Sequence, residues 1–269
     1  MLFTDLARQL APWSLSKAEL AKNCSFQFNL KYIRKEEGKV PPRDAAGRIG
    51  TAAHKALELF LKQASAGSEE LHRSILKVAT DQQLTTIEAD NVIALAHNIV
   101  NFRSRLDAYR ERNRVVQTLE EHKFGLTDEG AVTEFYGKGA REPFFRGIMD
   151  LILRTENEDI IIIDHKSGQP PQSTAQALKQ HEHQLRVYAL AALYLFPKMR
   201  TVQPALHYIQ NEQIVWAPAR LDANAVRDQL LPWYYQFLNE AAIASQSNLP
   251  HKGWYCQFCE YIPFCPLQK

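Results

Sequence analysis

Apolar residues recur along the chain with two different periods. Residues 47–63 and 181–196 place apolar side chains three or four positions apart, which is the period of an amphipathic helix. Residues 14–32 are also helical in pattern, and residues 68–114 predict two or three polar-rich helices that form a cap or arm. Residues 225–245 predict a last helix, with a break near its internal proline.

The period changes at Val115. Residues 115–126 predict a strand, residues 144–153 and 160–168 are two β-rich runs, and polar turns separate the three segments. The third run begins with four consecutive isoleucines, which indicates a strand buried on both faces. Residues 202–216 return to strand character. This order of helices and strands predicts a mixed α/β domain.

Length and charge narrow the class of protein. The 269 residues suffice for one large domain, or for one domain with a helical insertion. Lys and Arg number 32 and Asp and Glu 30, which gives a formal charge of +2, so any site for a polyanion must be a local patch. No apolar run approaches the roughly 18 residues of a membrane helix, and the first residues lack the apolar core of a signal peptide. We therefore expect a cytoplasmic protein.

Two acidic residues flank a predicted turn. If the polar turn over residues 154–159 is centred on Asn157, hairpin pairing places Asp150 opposite Asp164, with Cβ atoms about 4.5–5.5 Å apart. Strand side chains alternate, so Lys166 points to the same face as Asp164. Facing carboxylates repel each other, which suggests a bound cation such as Mg²⁺. The alternative is a surface ion network beside a turn.

Two predicted helices carry further polar pairs. His54 precedes Glu58 by four positions, so both lie on one helix face. Gln184 and Tyr188 have the same relation on a later helix. Each of these residues, taken alone, is more typical of packing or of a solvated helix surface.

All four cysteines lie near the chain ends. Cys24 lies within or just after the first long helix, and the other three form a C-x2-C-x5-C pattern within the last fourteen residues. Four cysteines are too few for a disulfide scaffold in a chain of this length. In a cytosolic protein they are more typical of a metal site.

Taken together, these motifs resemble the PD-(D/E)xK nuclease superfamily, in its RecB-like branch. The resemblance extends over residues 14–265 and implies a restriction-endonuclease-like fold, in which helices flank a mixed central sheet. It also implies a helical insertion or cap and a subdomain built from both chain ends. Four segments carry it in order: Gly50-x3-His54-x2-Leu57-Glu58, Gly147-Ile148-Met149-Asp150, Ile163-Asp164-His165-Lys166-Ser167-Gly168, and Gln184-Leu185-x2-Tyr188.

The cysteine pattern is similar to that of iron–sulfur members of this superfamily, which include the CRISPR-associated exonuclease family and the AddB nuclease domain. That similarity implies a [4Fe–4S] cluster held by four thiolates, with structural zinc and free buried thiols as alternatives. The implied cluster ligands are Cys24, Cys256, Cys259 and Cys265. The implied single nuclease domain comprises residues 1–47 (first helix and basic loop), 48–114 (helical part), 115–245 (core) and 246–269 (cysteine segment).

The implied reaction is hydrolysis of phosphodiester bonds in DNA by an exonuclease, with single strands favoured and Mg²⁺ or Mn²⁺ as cofactor. Lys166 would orient the attacking water or stabilise charge, and Gln184 and Tyr188 would line the site. Glu58 would hold His54, and Glu121 receives no role. The implied metal ligands are His54, Asp150, Asp164 and the backbone carbonyl of His165.

The resemblance also implies partners. DNA contacts are expected from the basic residues 31–48 and from the arginines between residues 103 and 114, for which a solvated helix face is the alternative. The implied protein partners belong to CRISPR adaptation or to DNA repair and recombination, and no membrane is involved. A non-catalytic nucleic-acid-binding subunit with the same fold is the competing hypothesis.

Overall fold

A computed structural model describes residues 2–38, 45–63 and 67–268. The chain divides into two compact units. The terminal unit comprises Met1–Arg43, Lys123–Gly147 and Ala225–Lys269, and the sheet unit comprises Asp44–His122 and Ile148–Asn224.

The α-helices account for most of the regular structure. Two π-helical turns accompany them, at Asn29–Ile33 and Val226–Leu230. In chain order the helices are α1 (Asp5–Gln9), α2 (Leu15–Asn23), α3 (Ser25–Phe28), α4 (Ala45–Leu61), α5 (Ser68–Asp81), α6 (Thr86–Ala94), α7 (Ala96–Arg112), α8 (Thr174–Gln180), α9 (Glu182–Leu195), α10 (Ala223–Ala225) and α11 (Leu231–Ser245).

The strands form a mixed sheet. They are β1 (Val115–Leu126), β2 (Val132–Thr133), β3 (Phe145–Thr155), β4 (Asp159–Lys166), β5 (Thr201–Tyr208), β6 (Gln213–Trp216) and β7 (Leu221–Asp222). In the sheet unit the strand order is β1-β3-β4-β5-β6, and β7 also pairs with β5. Only the β4–β5 pair is parallel among the registers described for that unit. In the terminal unit, β2 pairs with the end of β1.

The register between β3 and β4 is the one predicted from the turn. Leu151 pairs with Ile163, and the ladder continues without a slip to Arg154 and Ile160. The next positions in this register are Asp150 and Asp164. The four isoleucines of β4 are all buried, as their sequence predicts for a strand covered on both faces.

Helices α5, α6 and α7 form part of the core of the sheet unit. The prediction of two or three helices over residues 68–114 is confirmed, and the expectation that they form an arm is wrong, because they pack into the core. Their buried residues, such as Ile75, Ile99 and Phe102, belong to the same apolar cluster as Ile161 and Ile163 of β4. Burial of these apolar faces against the sheet is what stabilises the helices.

The helix predicted over residues 14–32 is interrupted at Cys24. Ser14 caps the start of α2 by accepting a hydrogen bond from the amide of Lys17. Cys24 then adopts an extended backbone, with φ −153° and ψ 94°, before α3 begins. The interruption places a thiol at a bend between two helices.

Two other segments differ in detail from the prediction. The strand character of residues 202–216 resolves into the antiparallel pair β5 and β6. Pro232 lies in the first turn of α11, where its missing N–H has no intrahelical partner to lose.

No helix in the described part of the chain is both long and apolar enough to cross a membrane.

Candidate active site

Three potential metal ligands from three different elements converge in the sheet unit. His54 on α4, Glu121 on β1 and Asp150 on β3 each offer one ligand atom, and these atoms lie within 4.8 Å of one another. Nε2 of His54 is 3.3 Å from Oδ2 of Asp150 and 2.7 Å from the carbonyl oxygen of His165. One imidazole, two carboxylates and a carbonyl form a donor set that suits Mn²⁺ or Mg²⁺.

Glu121 joins this group of potential ligands from an unusual backbone conformation in β1. Its φ is +50°, in the left-handed region, although it lies inside β1. A non-glycine residue held there costs about 1–3 kcal/mol, and such strain is found at functional sites. The sequence offered no signal for this residue, because the regular alternation of strand side chains fails where the backbone leaves the β region.

A second group of side chains surrounds Asp164. Its Oδ1 accepts hydrogen bonds from Nε2 of Gln184 at 2.7 Å and from the hydroxyl of Tyr188 at 3.0 Å. Its Oδ2 lies 2.7 Å from Nζ of Lys166, which also donates to Oε1 of Gln184 at 2.7 Å. Lys166 is thus held between a carboxylate and an amide.

Helix α9 fixes the geometry of this group. Gln184 and Tyr188 lie one turn apart on α9, so both reach the end of β4. The Tyr188 hydroxyl oxygen also lies 2.9 Å from the carbonyl oxygen of Ile148 on β3, so two acceptors share its single proton. Burial and the negative charges of Asp164 and Asp150 raise the pKa of Tyr188 well above its usual value, so its hydroxyl remains a donor.

Asp150 and Asp164 influence each other electrostatically. Burial, followed by the charge of Asp164, raises the pKa of Asp150 to about 7, although His54 and the amide of His165 act in the opposite direction. The charge of Glu121 raises it further. A bound cation would reduce the repulsion between these carboxylates.

His165 contributes its backbone to the site and its side chain to the core. Its amide donates to Oδ2 of Asp150 at 2.7 Å. Its buried imidazole lies with Nδ1 2.8 Å from Nδ1 of His207, and Phe102 stacks on His207 with ring centroids 3.9 Å apart. Burial and neighbouring positive groups lower the pKa of both histidines, that of His207 to about 3, so these rings are neutral.

Glu58 does not hold His54. Its carboxylate forms ion pairs with Lys55 and Lys62 on the same helix. The expected support of His54 by Glu58 is therefore wrong for this structure, since the i,i+3 and i,i+4 lysines are nearer partners.

His54 and Glu121 of the first group and Lys166 of the second line a cavity of about 690 Å³. Gly50 permits a close approach at its wall, because a Cβ atom there would lie 2.5 Å from Oγ of Ser167. Tyr208 also lines the cavity, and its buried hydroxyl has no hydrogen-bond partner among the described residues. Residues of the wall that offer polar groups include Thr51, Lys55, Gln169, Gln180 and His181.

The four cysteines line a different cavity, of about 280 Å³, within the terminal unit. All four are free thiols, and Cys24 is buried. Burial, followed by the charges of the other three cysteines, raises the pKa of Cys259. Four thiols that face one cavity fit a single group with four thiolate ligands. The set is Cys24, Cys256, Cys259 and Cys265.

Four of the arginines of α7 and the residues after it form hydrogen bonds or ion pairs within the protein. Nη1 of the buried Arg103 donates to the carbonyls of residues 60, 61 and 63 at the end of α4. The expectation that this run contacts DNA is therefore wrong for Arg103. Other pairs are Arg105 with Glu212, Arg110 with Asp107, and Arg114 with Glu156.

The basic residues 31–48 are described in part. Residues 39–44 lie outside the described residues, so the DNA contact predicted for this stretch stays a prediction there. Lys31 forms an ion pair with Glu260, and Arg48 forms one with the buried Glu88.

Comparisons with known proteins agree with the geometry of the site. A family model described as the PD-(D/E)XK nuclease superfamily matches residues 12–266. A comparison with curated proteins gives no match.

Two solved structures are similar to this chain. A crystal structure from Eubacterium rectale, described as "Putative exonuclease", is 12% identical with a TM-score of 0.54, and the alignment covers 97% of this chain and 93% of that chain. At this identity the similarity concerns the fold alone. A structure described as SSO0001 is 14% identical and covers 81% of this chain and 96% of its own, but its TM-score of 0.34 supports no argument.

Proposed function

The chain belongs to the PD-(D/E)XK nuclease superfamily, and from that premise we propose that it is a Mg²⁺- or Mn²⁺-dependent DNA exonuclease that favours single strands. The observation that carries this proposal is the convergence of His54, Glu121 and Asp150 beside the Asp164–Lys166 pair. A purely structural role would not require several carboxylates to share one buried region, because like charges there raise the cost of ionisation.

The proposed metal ligands are His54, Glu121, Asp150 and the carbonyl oxygen of His165. Asp164, which also holds Lys166, would add a further carboxylate. When bound, the divalent ion supplies Lewis acidity and lowers the pKa of a coordinated water. The imidazole of His54 makes Mn²⁺ a suitable occupant alongside Mg²⁺.

Lys166 is the proposed electrostatic catalyst. Its ammonium group would donate a hydrogen bond to the attacking water or to a phosphate oxygen, where negative charge develops in the transition state. Asp164 and Gln184 hold this ammonium before substrate arrives. Gln184 and Tyr188 are accordingly proposed as positioning residues, which act through Asp164 and Lys166.

We also propose that the four cysteines hold a [4Fe–4S] cluster. Free thiols around one cavity support a four-thiolate group, and the C-x2-C-x5-C pattern with a distant N-terminal cysteine favours iron over zinc by resemblance. The group would join residue 24 to residues 256–265, which removes much conformational freedom from the unfolded chain.

The biological setting follows from the same resemblance. Motifs of the RecB-like branch and its iron–sulfur members favour a cytoplasmic role in CRISPR adaptation or in DNA repair and recombination. Proteins of those processes are the proposed partners.

The test uses end-labelled single-stranded DNA and oxygen-free purified protein. Wild type should release nucleotides with Mg²⁺ or Mn²⁺ and not with EDTA. Lys166→Ala should lower the single-turnover rate by about 10²-fold or more, while its unfolding temperature stays that of wild type. The matched control Lys198→Ala removes an exposed lysine from the same unit and should leave the rate unchanged. Wild-type cleavage by Lys166→Ala would contradict the assignment.

A further inference from the structure

The terminal unit carries a pair of aromatic rings at its surface. Phe135 and Tyr136 follow β2, and their rings meet edge to face with centroids 4.7 Å apart. Tyr136 is 71% exposed. A tyrosine ring that is mostly exposed offers an apolar face that a flat partner can cover.

Two cations lie over these rings. Nζ of Lys123 is 5.8 Å from the ring centroid of Phe135 and 5.5 Å from that of Tyr136. The guanidinium carbon of Arg146 is 5.4 Å from the ring centroid of Phe135. Within the described residues, neither cation forms an ion pair with an acidic side chain. Their positive charges are therefore available to an anionic partner.

A third cation extends the positive region. Nζ of Lys17 donates to the carbonyls of Leu10 and Pro12, and it lies 4.9 Å from the ring centroid of Tyr32. Burial and the charge of Arg146 lower the pKa of Lys17 to about 8, so the two cations are near enough to repel. Carbonyl groups satisfy the hydrogen bonds of Lys17 but do not neutralise its charge.

Two acidic residues nearby in the sequence pair with other arginines. Glu134 forms an ion pair with Arg141, and Asp128 forms one with Arg8. The cation–aromatic surface is defined as Lys17, Lys123, Phe135, Tyr136 and Arg146, and its three cations form no ion pair with an acidic side chain among the described residues.

We propose that the cation–aromatic surface binds single-stranded DNA, with a base stacked on Tyr136 and phosphates against Lys123 and Arg146. Single strands present free base faces and closely spaced phosphates, which aromatic rings interleaved with cations recognise without regard to sequence. A duplex offers the phosphates but not the base faces. The identity of the polymer as DNA rests on the proposed function.

Two residues of this surface lie in strands that also contain proposed metal ligands. Lys123 follows Glu121 by two residues in β1, and Arg146 precedes Asp150 by four residues in β3. The inference deepens the proposed function, because it assigns a binding surface to the single strand that the enzyme would cleave.

The test measures binding of a fluorescein-labelled oligothymidylate to the full chain by anisotropy, with EDTA present to prevent cleavage. Tyr136→Ala should weaken binding about fivefold or more, whereas Tyr136→Phe, which keeps the ring, should bind within about twofold of wild type. The affinity of Tyr136→Ala for duplex DNA should be unchanged. Because Tyr136 is exposed, the unfolding temperatures of both variants should match that of wild type.

A second measurement concerns the cations. Lys123→Gln and Arg146→Gln should each reduce the slope of log affinity against log salt by about 0.7, and the control Lys198→Gln should not change it. Wild-type affinity of Tyr136→Ala for the oligothymidylate, an equal loss on duplex, or unchanged salt slopes would each overturn the proposal.

Failure of this proposal differs from failure of the proposed function. If wild type cleaves DNA but the variants bind normally, the surface is not the binding surface. If wild type binds the strand through Tyr136 yet cleaves no DNA with either metal, the surface stands and the nuclease proposal fails.

Discussion

The backbone amide of His165 donates a 2.7 Å hydrogen bond to Oδ2 of Asp150. This bond joins β4 to β3 at the position where both strands present an acid. The carbonyl oxygen of His165 lies 2.7 Å from Nε2 of His54. The backbone amide and carbonyl of His165 thus contact Asp150 on β3 and His54 on α4.

Asp150 destabilises the metal-free protein at neutral and higher pH. Burial, followed by the charge of Asp164, raises its pKa from an ordinary 3.8 to about 7. Between these values the folded state retains a proton that the unfolded chain has lost, so the free energy of unfolding falls as pH rises. We predict that Asp150→Asn, in EDTA and above about pH 7, is more stable than wild type by about 1–4 kcal/mol.

Denaturant unfolding as a function of pH checks this prediction. The difference between variant and wild type should disappear below pH 3.8. Added Mn²⁺ should stabilise wild type and not the variant. A variant less stable than wild type above pH 7 without metal would show that the Asp150 carboxylate is not under electrostatic strain.

Glu121 should contribute to metal affinity. We predict that Glu121→Gln weakens Mn²⁺ binding at least about tenfold, because it replaces a charged ligand by a neutral amide of the same shape. Titration calorimetry measures the affinity directly. The matched control is Glu120→Gln, which alters the neighbouring carboxylate, 3.6 Å from Arg110. Equal affinities of wild type and Glu121→Gln would remove Glu121 from the ligand set.

Arg103 should matter for stability and not for DNA. Its buried guanidinium donates to carbonyls at the end of α4, which have no partners within that helix. We predict that Arg103→Met lowers the free energy of unfolding by about 2–4 kcal/mol. Arg105→Met, at a largely exposed position, should change it by less than about 1 kcal/mol. A mild effect at Arg103 combined with weaker DNA binding would restore the role expected from the sequence.

The four cysteines should act as one unit. We predict that protein purified without oxygen has the visible absorption of an iron–sulfur cluster, and that serine at any one of the four positions removes most of it. Metal analysis of the same samples should give iron and not zinc. A colourless wild type with one zinc per chain would refute the cluster while leaving the four-thiolate site intact.

The sequence predicted the part of the site that depends on regular strand geometry. A short polar turn and a run of isoleucines fix the β3–β4 register, and that register places Asp150 and Asp164 opposite each other. The helical spacing of Gln184 and Tyr188 likewise predicts that both side chains lie on one face of the helix. These features follow from local periodicity, which is visible in a single chain.

The features that the sequence did not predict depend on tertiary contacts or on irregular backbone. Glu121 faces the site because its backbone leaves the β region, which no periodic pattern reports. Arg103 lies in a charged run typical of an exposed helix, yet the carbonyls at the end of α4 require a donor there. Cys24 interrupts a segment whose composition favours one continuous helix.

The most direct test of the central claim is the time course of nucleotide release from end-labelled single-stranded DNA by wild type and by Asp150→Asn. With Mn²⁺ present, we predict stepwise release by wild type that stops when EDTA is added, and no release by the variant. No cleavage by wild type with Mn²⁺ or Mg²⁺, or equal cleavage by both proteins, would contradict the account.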